Sequence, residues 1–169
     1  MKTRAIFAAS LVAALAFAGV VHTATRDITT EGRLQKLEDI EAIRTLLIKY
    51  GRALDQRDFK AYGALFAKDG TWKGGMGSAT SPDNIAKMVA DGFSKIEPKL
   101  YENSNHVMTS ADIEVDGNNA KAWSRWLWVV DGADGRPRLE RGGRYEDTLV
   151  RENGEWKFKQ RQAFTEITN

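Results

Sequence analysis

The sequence predicts an α+β domain: three helices in the first half pack on one face of a curved, mostly antiparallel sheet built from the second half. Three observations carry this. Apolar residues recur with a helical period between Leu34 and Leu54, capping residues open further helices at Asp58 and Ser81, and after Pro98 the chain breaks into strand-length segments separated by turn residues. With 169 residues, 42% of them hydrophobic, the chain suits one domain with one core. No repeat, low-complexity stretch or interdomain linker divides it.

Before the first helix lies a short basic part with Lys2 and Arg4, followed by an uncharged, alanine-rich run from Ala5 to Val21. This pattern predicts a signal peptide over residues 1–24 and a secreted or periplasmic location, with no stable membrane insertion after processing. No cysteine follows that could carry a lipid anchor. The formal charge of +2 rests on 25 basic against 23 acidic residues. Cleavage near residue 24 removes Lys2, Arg4 and His22 and no acidic residue, so the mature protein is formally neutral and His106 is its one histidine. A neutral chain gives no electrostatic case for a nucleic-acid partner.

The first helix carries apolar residues at 34, 37, 40, 43, 46, 47, 50 and 54, with charged residues on its other faces, and ends near Asp55. Asp58 caps a second helix that sets Phe59, Tyr62, Leu65 and Phe66 on one side and stops at Lys68-Asp69-Gly70. Thr71-Trp72-Lys73 reads as a short strand, and Gly74-Gly75-Met76-Gly77 as a flexible lip, without the lysine and following helix of a phosphate-cradling loop. Ser81-Pro82 opens a third helix that runs to about Ile96. Turns at Asp116–Asn119, Asp131–Arg136 and Asn153-Gly154 then divide the remainder into four long antiparallel strands.

Strand parity sorts the side chains. Trp126, Trp128 and Val130 share a face, opposite Trp123, Arg125, Leu127 and Val129, and bulk on both faces predicts a strand covered on both sides. Gly143, Tyr145, Asp147 and Leu149 share a face of the next strand; Trp156, Phe158, Gln160, Gln162 and Phe164 share one of the last. The tryptophans at 123, 126 and 128 suit a core or an aromatic wall.

The absence of cysteine removes disulfides, thiolate metal sites and thiol nucleophiles. One histidine without a metal-ligand spacing gives no case for a metal, and no Gly-x-Ser-x-Gly elbow supports a serine hydrolase. What remains is His106, at the entry to the sheet, and Asp55, an anion at a helix C-terminus, where the dipole prefers cations. Histidine oriented by a carboxylate is a common general base near neutral pH. The residues by themselves equally fit a plain strand histidine and an aspartate capping the turn into Asp58.

The run Tyr50-Gly-Arg-Ala-Leu-Asp55-Gln-Arg-Asp58, then Leu65-Phe66-Ala-Lys-Asp69-Gly-Thr-Trp72, His106-Val-Met-Thr109, Val115-Asp-Gly117, Gly142-Gly-Arg-Tyr145 and Asn153-Gly-Glu-Trp156-Lys-Phe158 resembles the SnoaL-like branch of the nuclear transport factor 2-like superfamily. The resemblance implies one domain over residues 33–166, shaped as a cone: a strongly bent, mostly antiparallel sheet wrapped around a pocket and closed by three N-terminal helices. The sequence is most similar to the scytalone dehydratase and hexachlorocyclohexane dehydrochlorinase type, whose catalytic aspartate and histidine match Asp55 and His106. That implies a cofactor-independent lyase or isomerase whose Asp-His dyad abstracts a proton from a small, largely apolar, aromatic or polyketide-like substrate. Tyr145, Gln160, Tyr50, Trp72 and Trp126 are the expected substrate-binding residues, with no metal and no cofactor. Where the dehydrochlorinase has an arginine in the last strand, this sequence has Gln160, and absent a bulge Arg161 faces the other way. The second histidine of scytalone dehydratase has no counterpart, the strand offering Arg125 and Trp126. The alternative within the same fold is a non-catalytic ligand-binding or dimerising module. In either case a homo-oligomer, dimer or trimer, is expected.

Overall fold

A computed structural model describes residues 29–96, 103–132 and 134–168. The expected signal peptide over residues 1–24 and the junction at 97–102 lie outside the described residues. Helix α1 (Thr30–Asp55) begins at Thr29, whose hydroxyl accepts from the Gly32 N–H, and α2 (Phe59–Gly63) at Asp58, whose carboxylate accepts from the Ala61 N–H. Strand β1 (Phe66–Gly74) turns at Gly75-Met76 into β2 (Gly77–Thr80), and α3 (Pro82–Phe93) follows with proline in its first turn. The second half supplies β3 (Ser104–Met108), β4 (Asp112–Asp116), β5 (Asn119–Asp131), β6 (Pro137–Glu152) and β7 (Glu155–Thr168).

One seven-stranded, unclosed, curved sheet results, in the order β2-β1-β7-β6-β5-β3, with β4 also paired to β5. Every pairing is antiparallel except β1 with β7. The helices pack on one face of it, and the core joins Ile43, Leu46, Leu47, Tyr50 and Leu54 of α1 to Trp126, Trp128, Tyr145, Leu149, Trp156 and Phe158 of the sheet. This is the predicted α+β arrangement.

Several elements differ from expectation. The second helix ends at Gly63, because Phe66 and Ala67 enter the sheet as the start of β1, and the glycine-rich lip is the turn of the β1–β2 hairpin. The third helix ends at Phe93 rather than about Ile96. The first of the four expected strands is two, β3 and β4, both paired to β5. Strand β5 is covered on one side only: Ala122, Ser124, Trp126, Trp128 and Val130 are buried, while Trp123 and Arg125 face solvent. Apolar content alone misreads that outer face, because Arg125 crosses the Trp123 ring at 5.3 Å and pairs with Glu166. At the start of α1, Leu34 and Leu37 are exposed and Asp39 is buried instead. Its carboxylate accepts from Arg151, Trp156 and Gln35, which ties the helix to the end of the β6–β7 hairpin.

Candidate functional site

Helix α1 delivers Asp55 at its C-terminal residue, next to β3. The helix closes with a paired turn: the Arg57 N–H donates to the Leu54 carbonyl and the Asp58 N–H to the Ala53 carbonyl. That motif needs a left-handed residue, normally glycine, and Arg57 takes the conformation at φ 58°. Its guanidinium donates to the Leu54 and Asp55 carbonyls at 2.7 and 3.1 Å, so a cation sits at the helix end and offsets the unfavourable position of the Asp55 carboxylate. Gly51, one turn earlier, lets α1 approach β3: a β-carbon there would stand 3.2 Å from Met108 and 3.7 Å from the His106 carbonyl.

The Asp55 carboxylate receives the His106 backbone N–H at 3.0 and 3.2 Å, and its Oδ1 lies 2.7 Å from His106 Nδ1. One carboxylate thus fixes both the strand and the ring. A proton on Nδ1, shared with Asp55, leaves the Nε2 lone pair open. The imidazole is stacked on Trp128, centroids 6.1 Å apart and planes at 15°. His106 borders two spaces. On the outside it shares a surface groove with Asp55, Arg52 and Gln56; on the inside it lines a cavity of about 190 Å³ under the helices.

Apolar and aromatic groups dominate the cavity: Leu54 from α1, Phe93 at the end of α3 and Ile96 beyond it, Met76 from the hairpin turn, and Trp126 and Trp128 from β5. Tyr50, Trp72 and Tyr145 complete the floor. Their polar atoms are partly engaged, since the Tyr50 hydroxyl accepts from Tyr62 at 2.8 Å and from the Trp72 indole at 3.1 Å. Burial pushes the Tyr145 and Tyr62 phenols well above their ordinary range, so both stay protonated. Beneath this floor, Arg161 is fully buried, its guanidinium 4.0 to 4.1 Å from the Tyr50, Tyr145 and Phe158 ring centres. It donates to both carboxylate oxygens of Asp147, at 2.8 and 2.6 Å. Burial raises the Asp147 carboxyl against the pull of Arg161, while Asp147 holds the guanidinium protonated in spite of the burial.

Of the expected site residues, the structure brings Asp55 and His106 together and places Tyr50, Trp72, Trp126 and Tyr145 on the cavity wall. Gln160 is not there. It is exposed on the outer face, beside Trp123, Glu146 and Thr148. The cause is a bulge: Leu149 pairs with Phe158 but Thr148 with Gln160, so Lys159 is an extra residue, parity reverses, and Arg161, Ala163 and Thr165 turn inward. Arg141 also lines the cavity and was not among the expected residues. Its odd number, in step with Gly143, Tyr145 and Asp147, was the signal that could have found it.

Residues 35–162 match the family model of the SnoaL-like domain. The chain belongs to that family. Solved structures similar to this SnoaL-like protein include a nuclear transport factor 2-like protein with a cystatin-like fold from Novosphingobium aromaticivorans, 26% identical over 83% of this chain and 90% of that one, with a TM-score of 0.72. A scytalone dehydratase candidate from the same organism is 25% identical, over 81% and 90% of the two chains, with a TM-score of 0.67. A hexachlorocyclohexane dehydrochlorinase from Novosphingobium barchaimii shares the fold at a TM-score of 0.68, with 18% identity over 81% and 92%. Comparison with curated proteins finds no match.

Proposed function

We propose that this SnoaL-like protein is a cofactor-independent lyase or isomerase that abstracts a proton from a small, largely apolar, aromatic or polyketide-like molecule bound in the cavity. The observation that carries the reading is the 2.7 Å contact between Asp55 Oδ1 and His106 Nδ1 on a histidine that lines an apolar cavity. Asp55 holds the tautomer and stabilises the imidazolium that forms; His106 Nε2 takes the proton; elimination or return of the proton at a neighbouring atom completes the cycle. The aromatic wall lowers the polarity around His106, which strengthens these interactions. The scytalone dehydratase and dehydrochlorinase names among the similar structures support this class of reaction.

Solvent exchange tests it. In deuterated buffer, single-ring ketones such as acetophenone should lose an α-proton to His106 and recover a deuteron, a change read by NMR. His106→Ala should lower that rate about a hundredfold, a typical general-base contribution. A rate unchanged by His106→Ala, in a folded variant, would favour the non-catalytic ligand-binding or dimerising module instead. Export and self-association belong to the same proposal. The basic start and apolar run of residues 1–24 support the first, tested by cell fractionation; exposed Trp123 on the outer sheet face supports a dimer or trimer, tested by sedimentation.

A further inference from the structure

Among the described residues the cavity wall is chemically one-sided: no carboxylate lines it, and several of its polar groups are donors without a partner. Trp126 and Trp128 are more than nine-tenths buried, and neither indole N–H has a hydrogen-bond partner among the described residues, although buried donors are nearly always paired. Directly across the strand pair from Trp128 lies Arg141, its guanidinium 6.0 Å from the Trp128 ring centre. Strand β6 carries four arginines. Arg138 meets Glu140, Arg144 meets Glu146 and Glu166, and Arg151 meets Asp39. Arg141 alone among them meets no carboxylate of the described residues, and it is exposed at the cavity wall. Arg141 and the Trp126 and Trp128 rings line one apolar space, and a guanidinium there is complementary to oxygen acceptors carrying negative charge.

Size narrows the ligand further. A dry cavity of about 150 Å³ holds benzene, so the 190 Å³ here matches one ring with a small substituent.

We propose that the cavity binds a single-ring aromatic carboxylate, its carboxylate held by Arg141 and its ring packed on Trp126, Trp128, Phe93 and Leu54. This rests on the reading of the cavity as the substrate site and names the class of substrate. The test measures binding rather than turnover, so it succeeds or fails independently of His106 chemistry.

The probes are benzoate and its neutral isostere benzamide, titrated into the full chain by calorimetry. Benzoate should bind one to one, roughly tenfold or more tighter than benzamide. Arg141→Gln should weaken benzoate by roughly tenfold or more and leave benzamide within about twofold, because only the charged contact is lost. Its unfolding midpoint should lie close to that of the parent, since Arg141 is exposed and meets no carboxylate among the described residues. Arg141→Lys, which keeps the charge but not the fork, should recover part of the affinity. Indole N–H signals of Trp126 and Trp128 should shift on addition of benzoate. Benzoate that fails to bind, benzamide that binds equally well, or benzoate affinity indifferent to Arg141→Gln would each overturn the proposal.

Discussion

The buried pair under the cavity floor should respond unequally to loss of its two partners. Arg161 and Asp147 are both fully excluded from solvent and joined by two short hydrogen bonds. Asp147→Ala leaves a guanidinium that cannot release its proton, and breaking a buried pair in this way costs about 3–5 kcal/mol. Three aromatic faces about Arg161 continue to attract the cation, each by up to about 2 kcal/mol in a desolvated site, which places the loss at the lower end of that range. Arg161→Met leaves a carboxyl that can escape the penalty by protonation, and burial already pushes Asp147 upward. In that variant the folded state keeps a proton that the unfolded chain releases near pH 3.9, so stability falls as pH rises from about 4 toward the raised native value. The slope is about 1.4 kcal/mol per pH unit within that window. Urea unfolding followed by tryptophan fluorescence at pH 5 and pH 8 measures both variants. Arg161→Met should be clearly more stable at pH 5 than at pH 8 relative to the parent, whereas the Asp147→Ala deficit should be flat. Equal losses with equal pH dependence, or an Asp147→Ala variant as stable as the parent, would refute the reasoning.

Three further outcomes follow from the same structure. Tyr50→Phe removes the acceptor of two buried donors, Tyr62 O–H and Trp72 N–H, and should cost about 2–5 kcal/mol, against about 1 kcal/mol for Tyr62→Phe, as chemical denaturation of the two variants would register. Asp39 is held below the usual carboxylate range because its bonds from Arg151, Trp156 and Gln35 outweigh the opposing effect of burial. Its contribution is therefore present above about pH 4 and lost as pH falls through its lowered native value, so Asp39→Asn should flatten the acid limb of a stability-against-pH curve. Gly143→Ala would place a methyl 1.9 Å from the Phe164 carbonyl oxygen, a backbone atom that cannot step aside, and thermal melting should show a loss of about 3 kcal/mol or more.

Much of this molecule is legible in its sequence. The period of α1, the cap at Asp58, the proline that opens α3 and the inward face of β6 follow from local chemistry, while Ser81 precedes α3 without a side-chain capping bond; the Asp55 and His106 positions follow from the order of motifs. What was not legible depends on partners distant in the chain. The extra residue at Lys159 is set by how β7 pairs with β6, and it exchanges Gln160 for Arg161 on the inner face. Phe66 and Ala67 look helical until the parallel partner β7 draws them into the sheet. Asp39 reads as a solvent residue until Arg151 and Trp156 arrive from the other end of the domain. Arg57, in a conformation usually reserved for glycine, shows how an anion is tolerated at the end of α1.

Proton abstraction as proposed depends on one lone pair, that of His106 Nε2, kept open by the proton shared between Nδ1 and Asp55. Nitrogen-15 NMR of the imidazole reads this directly, because protonated and unprotonated ring nitrogens resonate far apart. His106 should show a protonated Nδ1 and a bare Nε2 in the parent protein, as proton abstraction by Nε2 requires, with that preference lost in Asp55→Ala. A His106 ring protonated on Nε2 alone in the parent, or one whose tautomer is indifferent to Asp55→Ala, would contradict it.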